Sequence, residues 1–180
     1  FVMVYAVVNR KGGTGKTTSA IALAHGVSKR ARKMGDTSDF VALVIDLDPQ
    51  GHTGRALGIE PGGRYISKLL LGEAGLRDVI MPASTAEYER PGLWIIPASD
   101  GLADAKKAII AEAAMAEVMA KFGSKRDVSD PDTVLSQHLA PLKKAFKYIF
   151  LDCPPTLDSL QKAVYDFADE VIVPVKTDYL

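Results

Sequence analysis

The apolar run VMVYAVVN (2–9) passes directly into RKGGTGKTT (10–18), and this junction constrains the fold more than any other stretch of the chain. A short run rich in β-branched residues has the character of a strand buried on both faces, as in parallel sheets. From residue 16 to about 34, Ala20, Leu23, Ala24 and Val27 recur at helical spacing. Strand, glycine loop and helix in that order form the setting of a phosphate-binding loop. Gly15-Lys16-Thr17 closes the pattern G-x-x-x-x-G-K-[ST]. Its opening glycine is replaced by Arg10, and Lys11, Gly12 and Gly13 follow, so the loop has a lysine at each end. Glycines let backbone N–H groups turn inward, and with the helix N-terminus these donors suit phosphate oxygens. Lys11, Gly12, Gly13, Thr14, Gly15, Lys16, Thr17 and Thr18 are the expected phosphate-binding set, with Lys16 on the β- and γ-phosphates and the Thr17 hydroxyl on Mg²⁺. A glycine-rich turn with no ligand is the plainer alternative, and the flanking strand and helix argue against it.

The rest of the chain alternates between the same two patterns. FVALVID (40–46), LWIIP (93–97), KYIFLD (147–152) and EVIVPV (170–175) read as further strands. Residues 101–122, 133–146 and 158–168 read as helices, and 124–132 as a polar loop. Repeated β-α alternation predicts an α/β fold, a mostly parallel β-sheet with helices on both faces, in one domain over 1–180. A length of 180 residues, 47% of them hydrophobic, is enough for one such core.

Two of these strands end in acid. Asp46-Leu47-Asp48-Pro49-Gln50 closes the second and Asp152-Cys153-Pro154-Pro155 the fourth. Open parallel sheets bind ligands at the carboxyl ends of their strands, so these segments and the glycine loop converge on one γ-phosphate. A carboxylate there suits holding Mg²⁺, and a second suits orienting an attacking water. Asp46, Asp48 and Asp152 are the candidates for these two roles, beside the Thr17 hydroxyl. An isolated aspartate at either place would also serve as a helix cap.

Charge and cysteine content exclude several classes. Lys+Arg and Asp+Glu both count 22, so no global field points to nucleic acid or membrane. A lone cysteine, Cys153, rules out a disulfide framework and points to a reducing cytoplasm. No apolar run reaches about 18 residues, so no membrane span is expected. His25, His52 and His138 are isolated and lack metal-ligand spacing. The basic run Lys29, Arg30, Arg32 and Lys33 suits a helix C-terminus. The Ala/Met-rich helix after Gly101 is assigned to core and surface packing rather than to a partner, and Trp94 to the core.

In this order, KGGTGKTT, DLDPQG and FLDCPP resemble the deviant Walker A, A′ and B motifs of the ParA/MinD group of P-loop ATPases, most of all the ParA (Soj-like) partition ATPases. The final VIVPVKTDYL resembles their next strand, and the resemblance covers most of the chain. It implies ATP and Mg²⁺ as cofactors, slow hydrolysis to ADP and phosphate, and a homodimer in the ATP state. It also implies that Lys11 is a signature lysine reaching the partner's phosphates, so that Lys11, Lys16 and Asp48 carry catalysis, with Asp48 positioning the water and Asp152, beside Thr17 and Asp46, on the Mg²⁺ side. Partners implied are non-specific DNA and a ParB-type centromere-binding protein, with no membrane, in a cytoplasmic, nucleoid-associated setting. Arg10, Thr14 and His52 depart from the usual Gln, Val and Asn, and segments 35–39 and 123–132 are longer than typical. The chain stops at Leu180, short of a whole family member, so the domain is expected to be truncated, with the last strands, much of the adenine pocket and the basic DNA-binding surface lying beyond. A MinD-like membrane-positioning ATPase and a metabolic P-loop enzyme that passes phosphate to a small substrate are the alternatives.

Overall fold

The computed structural model describes residues 1–124, 128–156 and 160–177. Strand β1 (Met3–Val7) leads through the glycine loop into helix α1 (Lys16–Lys33), and β2 (Ala42–Asp46) follows. Next come three short helices, α2 (His52–Leu57), α3 (Ile66–Leu70) and α4 (Leu76–Val79), then β3 (Met81–Pro82) and β4 (Leu93–Ile96). The long helix α5 (Gly101–Lys121), α6 (Val134–Leu139) and α7 (Leu142–Ala145) precede β5 (Tyr148–Asp152), α8 (Gln161–Phe167) and β6 (Glu170–Ile172). The sheet order is β3-β4-β2-β5-β1-β6, parallel except for β3, which pairs antiparallel with β4. The fold is therefore the expected α/β type.

Side chains alternate across the sheet because successive Cβ atoms of a strand point to opposite faces. Leu43, Ile45, Ile149 and Leu151 enter one core with residues of α3, α5, α6 and α8, while Ala42, Val44 and Phe150 enter the other with Ala20 and Ala24 of α1. Every residue of β2 is buried, as expected of a strand covered on both faces. The face of α1 toward the sheet is built from small residues one turn apart, Ala20, Ala24 and Ser28, all buried. Their size lets the helix axis lie close to the strands.

Several sequence expectations change at the level of detail. Helices α2 to α4 and strand β3 escape the sequence because each is too short to show a period. The single helix expected over 133–146 is split into α6 and α7, with Pro141 at the N-cap of α7. The strand expected over 170–175 pairs only as far as Ile172, since Pro174 has no N–H to donate. Trp94 is half-buried rather than core, stacked on Phe40 at 4.9 Å and donating its indole N–H to the Asp39 carbonyl at 2.7 Å. Parts of the 124–132 loop, of the 158–168 helix and of the terminal VIVPVKTDYL segment lie outside the described residues.

Candidate functional site

Strands β1, β2 and β5 are neighbours, and their carboxyl ends set Val7, Asp46 and Asp152 side by side in register. Everything else in the site hangs from that edge. The loop after β1 needs glycine for its backbone: Gly13 has φ +71° and Gly15 φ +86°, where a side chain would be strained. Asn9 braces the loop, accepting the Lys11 N–H at 2.8 Å on Oδ1 and donating Nδ2 to the Pro174 carbonyl at 2.7 Å, just past β6. Lys16, in the first turn of α1, is 8% exposed and donates Nζ to the Lys11 carbonyl at 3.3 Å. Lys11 lies at the exposed rim.

The two acid segments join this loop from below. Asp152 is 1% exposed and Asp46 fully buried. Both oxygens of Asp46 accept backbone N–H groups, Oδ1 from Asp48 at 2.9 Å and Oδ2 from Thr53 at 3.1 Å. It thereby fixes the turn and the start of α2. Gly51 makes that turn possible: its φ is +63°, and a Cβ there would sit 2.7 Å from the Ala98 carbonyl oxygen. Asp48, half-buried, closes the turn by accepting the Gln50 N–H at 2.9 Å. A cleft of about 600 Å³ opens over the loop, lined by its glycines with Lys16, Thr17, Asp48, His52 and Pro154. Loop, lysine and Asp48 thus share one cleft, with Asp46 and Asp152 beneath it.

Burial raises the Asp46 pKa to about 7, with the neighbouring Asp152 charge adding to it and the Asp48 and Thr53 N–H groups opposing it. Burial also raises the Asp152 pKa, opposed by the Thr17 and Thr53 hydroxyls and the Lys16 ammonium. Asp152 Oδ2 accepts the Thr53 hydroxyl at 2.8 Å, whereas Oδ1 is buried with no hydrogen-bond partner among the described residues. A buried carboxylate oxygen without a donor is costly unless something cationic meets it. One hydroxyl and one carboxylate, with phosphate and water oxygens completing the shell, is the donor set Mg²⁺ prefers. Thr17 and Asp152 therefore fit Mg²⁺, and among the described residues no cluster of three His, Cys, Asp or Glu offers another metal site.

Sequence reasoning missed three residues that hold this site together: Asn9, Thr53 and Lys106. Lys106 on α5 is buried and donates Nζ to the Leu47 carbonyl, between Asp46 and Asp48, at 3.3 Å. A threonine immediately after DPQGH and a polar residue two positions past β1 are visible in the sequence, but their partners are 99 and 165 residues away.

The AAA domain family matches this chain over residues 2–180. The chromosome-partitioning ATPase Soj of Treponema pallidum is 31% identical over 172 residues, covering 96% of this chain and 56% of the relative. The chromosome partitioning protein ParA of Myxococcus xanthus is 28% identical over 178 residues, 98% of this chain and 53% of the relative. The chain thus spans little more than half the length of these relatives. Among solved structures, cobyrinic acid a,c-diamide synthase from Mycobacterium smegmatis with bound ATP analogue and magnesium is 26% identical with a TM-score of 0.74, over 97% of this chain and 60% of that one. Among the described residues, no helix is long and apolar enough to cross a membrane.

Proposed function

Because the chain belongs to the AAA domain family, among its ParA/Soj-like P-loop ATPases, we propose that residues 1–180 are one ATPase domain that binds ATP with Mg²⁺ and hydrolyses it slowly as the switch of a DNA-partition system. One observation carries this reading: a buried lysine, a glycine loop and a buried carboxylate oxygen with no hydrogen-bond partner among the described residues converge at one sheet edge. Backbone N–H groups of residues 12–18 cradle the phosphates, and Lys16 meets their charge from within the same subunit. Thr17 and Asp152 hold Mg²⁺, which when bound neutralises charge on the phosphate oxygens. Asp46 is a positioning residue: it sets the turn that carries Asp48. Asp48 orients the attacking water from the cleft wall.

Lys11 extends this reading to two subunits. Its carbonyl accepts Lys16 Nζ, so its backbone is part of the loop while the residue itself sits at the exposed rim. From there it reaches the phosphates of a second copy and ties dimerisation to bound ATP. A second positive charge at the γ-phosphate stabilises charge spread over the transferring oxygens. The ATP dimer binds DNA without sequence preference, in the cytoplasm on the nucleoid, and a ParB-type partner stimulates hydrolysis. DNA binding of this kind rests on lysine and arginine against phosphates and weakens steeply with salt. Residues 1–180, at net charge zero, are expected to bind DNA weakly if at all.

The test is ATP turnover and DNA binding by the full-length protein, the latter by fluorescence anisotropy across a salt series on unrelated duplexes. Salt-sensitive, ATP-dependent binding that Lys16→Ala abolishes supports the reading. Binding to anionic vesicles in place of DNA would transfer it to the membrane-positioning alternative. The similarity to the M. smegmatis synthase favours a second reading, a metabolic P-loop enzyme. ATP consumption that requires a small-molecule acceptor would select it.

A further inference from the structure

Helix α5 is 21 residues long, yet its buried residues, Leu102, Ala105, Lys106 and Ile109, all lie in its first half. Beyond Ile109 only Ala113 and Ala116 are even half-buried. A second apolar stripe runs along the helix: Ala108, Ala111, Met115, Val118 and Phe122, all exposed, with Met115 at 58%, Val118 at 49% and Phe122 at 81%. The spacing alternates three and four residues, the a and d pattern of a coiled-coil seam. At about 100° per residue, this stripe lies on the side of α5 opposite the face that meets the core. A surface helix ordinarily turns polar residues outward. This one is apolar on both sides.

We propose that this stripe is a self-association seam through which two copies of the chain pair by parallel, in-register α5 helices. Charge selects the occupant and the direction. With Ala108 at a, Lys107 takes the g position and Glu112 the e position of the next heptad. In a parallel homodimer g faces e of the following heptad, so Lys107 of each copy meets Glu112 of the other, twice by symmetry. Antiparallel pairing would set g against g and e against e, which brings no such match. The next flanking pair, Ala114 and Met119, is uncharged and widens the apolar contact. Lys107 now pairs with Asp104 at 3.2 Å, an exposed contact with little energy to lose. Because the seam is opposite the core face, the two domains sit on the outer sides of the helix pair. The helix is already formed on its own domain, so pairing carries no nucleation cost, which lets about two heptads suffice. This contact needs no nucleotide and does not involve Lys11, which separates it from the ATP-dependent dimer.

Sedimentation equilibrium of the chain without nucleotide, over a range of concentrations, tests the seam. The wild type is expected to dimerise reversibly, and Met115→Lys/Val118→Lys to remain monomeric with an unchanged circular dichroism spectrum. Lys107→Glu should weaken the dimer several-fold, and Lys107→Glu/Glu112→Lys should restore it. Lys11→Ala should leave it intact. Independently of these variants' folding, Ala111→Cys should form a disulfide between copies on mild oxidation, because the d positions of a parallel pair adjoin. A wild type that stays monomeric at every concentration, a seam variant that dimerises normally, a charge swap that fails to restore pairing, or an Ala111→Cys chain that does not cross-link would each overturn the proposal.

Discussion

Thr53 donates its hydroxyl to Asp152 Oδ2 at 2.8 Å across 99 residues of sequence, with both residues out of contact with solvent. The same threonine gives its backbone N–H to Asp46 Oδ2 at 3.1 Å. One residue at the start of α2 thus links the carboxylates that end β2 and β5. Asp152 Oδ1 has no hydrogen-bond partner among the described residues.

Thr53→Val keeps the shape and removes the donor. The abandoned carboxylate oxygen should cost about 1–3 kcal/mol, read as a lower urea midpoint at unchanged slope. Mg²⁺-dependent ATP binding should weaken as well, because Asp152 would lose the bond that orients it. A variant as stable as the wild type would mean that Thr53 is only a neighbour of Asp152.

Asp48→Ala should still bind ATP, since the cradle and Lys16 remain, but should turn it over at least tenfold more slowly, a loss of about 1.4 kcal/mol or more in barrier terms. Single-turnover hydrolysis measured beside nucleotide titration separates the two effects. Unchanged turnover would remove Asp48 from the water-positioning role.

Lys11→Ala should leave nucleotide affinity within a few-fold of wild type while abolishing dimerisation that depends on a slowly hydrolysed ATP analogue. The reason is its place at the exposed rim, with its carbonyl accepting Lys16 Nζ. Sedimentation velocity with and without the analogue checks this. Normal ATP-dependent dimerisation would confine Lys11 to its own subunit.

Asp46 gives the protein a pH dependence when free of metal and nucleotide. Its folded pKa, about 7, is above the ordinary 3.8, so between these values the folded state holds the proton more often than the unfolded chain. Stability from this group should therefore be greatest below about pH 4, decline as pH rises toward 7 and level off above, by up to about 4 kcal/mol. Denaturant midpoints from pH 4 to 8 should show the decline, and Asp46→Asn should flatten it. A wild-type slope in that variant would assign the titration to another group.

How much of this was legible in the sequence follows the range of the interactions. The five main strands, helix α1, the loop around Lys16 and the acid at the ends of β2 and β5 are written locally, as β-branched runs, helical spacing and contiguous motifs. Their convergence follows too, because strands of a parallel sheet present the same end to a ligand. What remained hidden depends on atoms brought together from far apart. Nothing in DPQGHT says that Thr53 will meet Asp152, nor that both Asp46 oxygens will be taken by backbone donors, nor that Asn9 will reach Pro174. The seam on α5 is the same case: its alanines and methionines read as core and surface packing, and only the packing of Leu102, Ala105 and Ile109 against the domain shows which apolar side is left facing water. Local pattern determines which elements form and which chemistry they carry. The tertiary structure decides which polar atoms satisfy one another and which apolar faces stay open, because those choices depend on partners that no local stretch contains.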